Sequence, residues 1–162
     1  MEMRSTRVSC FIAAPADSVY RALIDSDAVS RWRFPEGMSC RVHVFEPREG
    51  GTIRISLTYE EAAGIGKTSA HIDTYSGRFV RLVPDRDVVE VDVFETEDPA
   101  MQGEMTITTI LTPKDNGTEL VAIHEGVPEG VSLSDNEMGW EMALTRLKWL
   151  VEDQGQVAEE EG

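Results

Sequence analysis

From residue 40 to residue 124 the chain repeats one pattern. Apolar and polar residues alternate over short runs, and clusters of Gly, Pro, Asn or Asp separate the runs. "IRISLTY" is the clearest run, with Ile53, Ile55, Leu57 and Tyr59 on one side and Arg54, Ser56 and Thr58 on the other. Such a strand has one dry face and one wet face. Cys40, Val42 and Val44 alternate in the same way. Val89, Val91 and Val93 alternate with Glu90 and Asp92, and Met105, Ile107 and Leu111 alternate with threonines. Thr68 to Tyr75 and Arg78 to Val83 read as strand segments around Gly77, a bulge or kink. "PKDNG" is a hairpin turn that leads into a last strand from Thr118 to His124. With Arg7 to Ala14 ahead of them, these runs predict an antiparallel meander of six or seven strands. Its dry face has to be covered.

One element is long enough to cover it. Residues 135 to 152, "DNEMGWEMALTRLKWLVE", follow the helical period and start at a cap on Ser134 or Asp135. Trp140, Ala143, Leu144, Leu147, Leu150 and Val151 form the longer apolar stripe and should grip the sheet. Met138, Met142 and Trp149 lie roughly opposite. Between the first two strands, Pro15 opens a short helix bearing Val19, Leu23 and Ile24. Ser26 is placed to cap a second helix bearing Ala28, Val29 and Trp32. These short helices should close one end of the sheet and shield Trp149. Met138 and Met142 are then exposed, buried by a second copy in a homodimer, or covered by the loop from Gly126 to Ser134. The fold class is therefore α+β, with one domain over residues 1–152. Residues 153–162, "DQGQVAEEEG", lack periodicity and predict a disordered acidic tail.

The chain has 162 residues and a net charge of -15, from 30 acidic against 15 basic residues. Nucleic acids and anionic membrane surfaces both select clustered Lys and Arg, so neither is an expected partner. No apolar run reaches bilayer length, which predicts no membrane insertion. Cys10 and Cys40 form no disulfide framework and sit among apolar neighbours, as free thiols in a reducing, cytoplasmic compartment would. Three scattered histidines and no CxxC predict no metal, and no glycine-rich phosphate loop or nucleophile elbow points to a cofactor.

Four stretches in order carry a resemblance. "PADSVYRALIDSDAVSRW" is a helix pair ending in Trp32, and "YSGRFVRLVPDRDVVEV" sets a glycine and a hydrophobic pair before a valine-rich strand. "MTITTILTPKDNGTELVAIHEG" is a paired-strand hairpin, and "NEMGWEMALTRLKWLV" is a closing Gly-Trp helix. Across residues 7 to 151 the chain resembles the START-like helix-grip superfamily (SRPBCC) of lipid-transfer domains, polyketide cyclases and birch-pollen-type allergens. Within it, the chain looks like the branch of the activator of heat-shock protein 90 ATPase. The resemblance implies a curved sheet around the C-terminal helix, with a cavity between them. It implies three readings of function: binding of a small hydrophobic or amphipathic molecule, cyclase- or hydrolase-type catalysis, and a co-chaperone-like or stress-related interaction module. The eukaryotic co-chaperone has an extra N-terminal domain, which makes ligand binding the first expectation.

The residues expected at the cavity are Trp32, Phe34, Met38, Tyr59, His71, Glu95, His124 and Trp140. "WRFPEGM" holds Trp32, Phe34 and Met38 and is too apolar for a solvent turn. It reads as a plug on the end of the sheet or as a pocket entrance. Tyr59 continues the inward parity of its strand, and Glu95 that of Val89, Val91 and Val93. His71 shares a strand face with Asp73, and His124 closes the last strand. Tyr59, His71, Glu95 and His124 are the acid/base candidates if the domain is an enzyme. Trp140 follows Gly139, which suggests close approach of another backbone.

Overall fold

The computed structural model describes residues 4–59 and 72–161. Seven antiparallel strands form one curved sheet: β1 (Ser5–Ile12), β2 (Met38–Phe45), β3 (Thr52–Tyr59), β4 (Ile72–Val83), β5 (Asp87–Phe94), β6 (Met105–Lys114) and β7 (Gly117–Glu125). Their order is β1-β7-β6-β5-β4-β3-β2, so the first strand closes beside the last. Two short helices, α1 (Ala16–Leu23) and α2 (Ser26–Trp32), join β1 to β2, and α3 (Leu133–Glu161) crosses the concave face. The architecture is α+β, with the meander that the alternation predicts and the helix-grip arrangement that the resemblance implies. The expected loop at 60–66 and the first part of the Thr68–Tyr75 strand lie outside the described residues.

Local chemistry explains most boundaries. Asp25 caps α2 by accepting from the Ala28 backbone N–H at 3.3 Å, so Ser26 is a helical residue and not the expected cap. A carboxylate at residue 25 reaches the third amide of the helix, and its charge also suits the helix N-terminus. Ser132 caps α3 through the Asp135 N–H, two residues before the earlier of the two expected caps. The β6–β7 hairpin turns on Asp115 and Asn116, both in the left-handed region, and leaves Gly117 paired with Lys114. Two consecutive positive φ angles make a tight turn whose twist matches the strands. Gly77 is not the bulge: the register of β4 against β5 shifts between Phe79 and Arg81.

α3 remains helical to Glu161. Gln, Ala and Glu are good helix formers, and propagation from an established helix adds a bond for each residue fixed. Its inward stripe is the expected one, with Ala143, Leu144, Leu147 and Val151 buried against Val8, Ile12, Val19, Val29 and Leu120. Trp149 is not shielded by the short helices. It is 59% exposed and Met138 is 54% exposed, while Met142 is half-buried. At spacings of four and seven residues these three form the outward stripe, and α1 and α2 pack on the inward side. Both cysteines are free thiols, and burial pushes the Cys40 thiol up to about 11. No helix among the described residues is long and apolar enough to cross a membrane.

Trp32 fixes α2 onto α1. Its ring is buried and its indole N–H donates to the Ala22 carbonyl at 3.0 Å, which satisfies an orphan acceptor at the end of α1. Trp32→Phe keeps most of the apolar area and leaves that carbonyl unsatisfied. Denaturant unfolding should show a loss of about 1–3 kcal/mol.

Candidate functional site

The inner face of β5 reverses the parity expected from its valines. Val88, Glu90, Asp92 and Phe94 point inward, and Glu90 and Asp92 are 4% and 2% exposed. The partner that makes this tolerable is Arg33, the residue after α2, itself 6% exposed. Its two terminal nitrogens donate to the two oxygens of Glu90, each at 2.8 Å, and one of them also reaches Asp92 Oδ2 at 3.4 Å. The guanidinium lies 5.3 Å from the Tyr75 ring centre and 5.4 Å from that of Trp140. Valine is favoured on a pleated strand surface whichever way it points, so alternation alone mis-set the face.

Burial weighs on each charge in this cluster. It opposes the Arg33 cation, yet Glu90, helped by Tyr75 and Asp92, outweighs it and raises the guanidinium further. Burial also opposes the Glu90 carboxylate, but Arg33 and a hydrogen bond with Asp92 together outweigh it and hold Glu90 low. For Asp92 burial and the Glu90 charge act together and raise it well above the carboxylate range. The cluster therefore holds one cation, one anion and one protonated acid, and its net charge is zero. Arg33 Nε has no hydrogen-bond partner among the described residues, and Asp92 in its protonated form is hydrogen-bonded to Glu90. Gly77 makes room for this acid: a Cβ there would stand 2.0 Å from Asp92 Oδ1 and 2.3 Å from the Val91 carbonyl.

Beside the cluster lies a cavity of about 230 Å³ between the sheet and the first turns of α3. Arg33, Tyr75 and Asp92 line it, with Phe34, Met38, Leu57, Phe94, Met105, Ile107 and Trp140 as apolar wall. Asp73, Asp135 and Asn136 also line it and are more exposed than Arg33 and Asp92, which marks its open end. Thr6 donates its hydroxyl to Asn136 at 2.6 Å and so pins the start of α3 to β1. Arg4 bonds the Val127 and Val131 carbonyls, which anchors the loop before α3 on the other side. Gly139 faces the cavity, and a Cβ there would have only Pro35 near it, at 3.8 Å. The glycine leaves space, and the close backbone approach expected from the sequence is not found.

Of the expected site residues, Phe34, Met38 and Trp140 line the cavity. Trp32 stands behind it, edge-on to Trp140 with ring centres 6.2 Å apart. Tyr59 is not in the wall; burial first, then Asp73 and Asp135, raise its hydroxyl. Glu95 does continue the parity of the three valines, but that parity faces outward. It forms a two-bond ion pair with Arg54 at 2.8 and 3.0 Å on the exposed side. His71 lies outside the described residues. His124 points inward and is 0% exposed, with its ring 4.6 Å from that of Trp140, but it does not line the cavity. Burial, and next Arg33, lower it to about 4, and neither ring nitrogen has a partner. The three described acid/base candidates, Tyr59, Glu95 and His124, therefore do not meet in the cavity. No group of three His, Cys, Asp or Glu among those residues could hold a metal. Arg33, Glu90 and Asp92 were missed. Their signal was an arginine between Trp32 and Phe34 and two acids alternating within a valine run.

The family model described as activator of Hsp90 ATPase homolog 1-like protein matches residues 13–152, and the chain belongs to that family. A crystal structure of a protein from Chromobacterium violaceum is similar at 29% identity, with a TM-score of 0.81, covering 92% of this chain and 98% of that one. A solution structure from Arthrobacter aurescens has a TM-score of 0.77 at 16% identity, covering 94% and 92%. A crystal structure from Rhodobacter sphaeroides has a TM-score of 0.71 at 21% identity, covering 94% and 98%. The last two share the fold. No curated protein matches the chain.

The cluster and His124 each generate a prediction. Glu90→Leu strands the Arg33 cation in the interior and should cost about 3–5 kcal/mol in denaturant unfolding. Adding Arg33→Met should recover most of that loss. His124 is neutral when folded and takes up a proton more readily when unfolded. Its contribution is thus fully present above its usual 6.5 and is lost as pH falls from there toward about 4. His124→Leu removes it. The stability difference between wild type and variant should shift by roughly 2–3 kcal/mol between neutral pH and the lower of those values, with wild type losing more.

Proposed function

We propose that this member of the family binds a small apolar or amphipathic molecule in the cavity between α3 and the sheet. The observation that carries the reading is the cavity's construction: an apolar, largely aromatic wall closed by the self-neutralised cluster of Arg33, Glu90 and Asp92. Ligand sites are typically concave and mostly apolar with a few convergent polar groups. The volume of about 230 Å³ is near the lower end for such sites and suits a compact guest. Trp140 touches the cavity, His124 and the Arg33 guanidinium at once, so its fluorescence reports occupancy.

Gly139 is the place to test the reading. A Cβ there meets only the Pro35 side chain, at 3.8 Å, and Gly139 lines the cavity, so a leucine has room to start into it. Leucine also replaces a helical glycine, a gain of about 0.8 kcal/mol in helix propensity. Gly139→Leu should keep or raise the melting temperature and abolish the Trp140 fluorescence response to small apolar amphiphiles. An unchanged response in this variant would place the binding elsewhere.

A further inference from the structure

The cavity has a sign. Among the described residues that line it, Arg33 is the one cation, and its charge is already answered. Glu90 grips both terminal nitrogens at 2.8 Å, and Glu90 and Asp92 are almost completely buried behind it. A guest carboxylate seeking Arg33 would have to displace Glu90 or approach an ion pair with no net charge to offer. The other titratable side chains in the wall, apart from Tyr75, are acids: Asp73 and Asp135 at the open end and Asp92 at the inner end. Among the described residues neither Asp73 nor Asp135 forms an ion pair with a base. Both line the open end of the same cavity. Arg146 stacks on Phe34 at 4.4 Å and is not part of the wall. Among the described residues every uncompensated charge that lines the cavity is therefore negative, and the wall between the two ends is apolar.

We infer that the cavity selects a cationic amphiphile, an apolar body carrying an amine that lies at Asp73 and Asp135, over the acid of the same shape. The inference rests on the cavity being the binding site, and it adds the charge of the guest. The amine stays at the rim, where the two carboxylates face it and water still reaches it, and only the apolar body enters. A charge held there interacts through partly screened solvent, so the preference is moderate and depends on salt.

The test uses three probes of one shape: phenylpropylamine, phenylpropanol and phenylpropionate. Their dissociation constants are measured by Trp fluorescence and calorimetry at neutral pH and low salt. The amine should bind about tenfold or more tighter than the acid, with the alcohol between them. Asp73→Asn combined with Asp135→Asn should bring the amine and the acid to within about threefold and leave the alcohol unchanged. Asp85→Asn combined with Asp115→Asn removes the same charge from hairpin turns at the far end of β5 and β6, and should leave the ratio as it was. Equal binding of acid and amine would overturn the inference while cavity binding stands. So would a ratio that falls equally in the far-end variant, since the net charge of -15 would then be the cause. Binding of none of the three would overturn the cavity reading and this inference with it.

Discussion

A guanidinium inside the protein dictates much of what surrounds it. Arg33 leaves the end of α2 and points across the sheet, so something on the inner face has to answer its charge. Removing such an ion from water costs several kcal/mol unless it is paired and hydrogen-bonded. Glu90 supplies two bonds, and Asp92 stays protonated because a second anion there would face both burial and Glu90. The faces of Tyr75 and Trp140 add attraction from the ring quadrupoles. The pairing also locks the β5 register. A slip of one residue would turn Glu90 and Asp92 outward and leave Arg33 alone against valines. Gly77 belongs to the same constraint, since any larger residue there would collide with Asp92 and the β5 backbone.

This constraint explains which parts of the fold were legible in the sequence. β3 and β6 carry apolar residues inward and polar residues outward, and their faces followed from alternation. β5 has the same alternation with the opposite sense. No local rule could reveal that, because the reason is an arginine far away in sequence. Its distance to the acids, 57 and 59 residues, is a tertiary fact. The helix caps failed by one or two positions for a smaller reason. Asp, Ser and Asn all cap well, and adjacent candidates differ only in which amide they reach once the chain has turned.

The site was legible where residue type and segment agreed. Phe34 and Met38 lie in an apolar stretch after a helix, and Trp140 lies on the helix stripe that faces the sheet. Glu95 failed with the parity of β5. His124 was expected at the cavity from its place at the end of the last strand; it is fully buried, does not line the cavity, and packs its ring 4.6 Å from that of Trp140. Trp140 contacts two environments: a fully buried imidazole, and a cavity with carboxylates at its rim. A single side chain with that position cannot be read from helical spacing, which gives direction and not depth.

The two halves of α3 divide the work between them. From Leu144 to Val151 the helix buries leucine and valine against Ile12, Val19, Val29 and Leu120, a packed apolar core with no polar orphan among these residues. From Asp135 to Ala143 it carries a glycine in mid-helix, faces a cavity, and stands over a buried ion cluster and an unpartnered histidine. Each of the latter features costs stability: about 1 kcal/mol for a helical glycine, and about 1–3 kcal/mol for a buried polar group left unpaired. Costs scattered through a core would read as tolerated imperfection. Here they are gathered around Trp140, at one end of one helix, while the other end supplies the packing that holds the fold. Natural sequences break local rules together where a site has to be open, polar and shaped. That gathering of costs at the start of α3 supports the binding site proposed there.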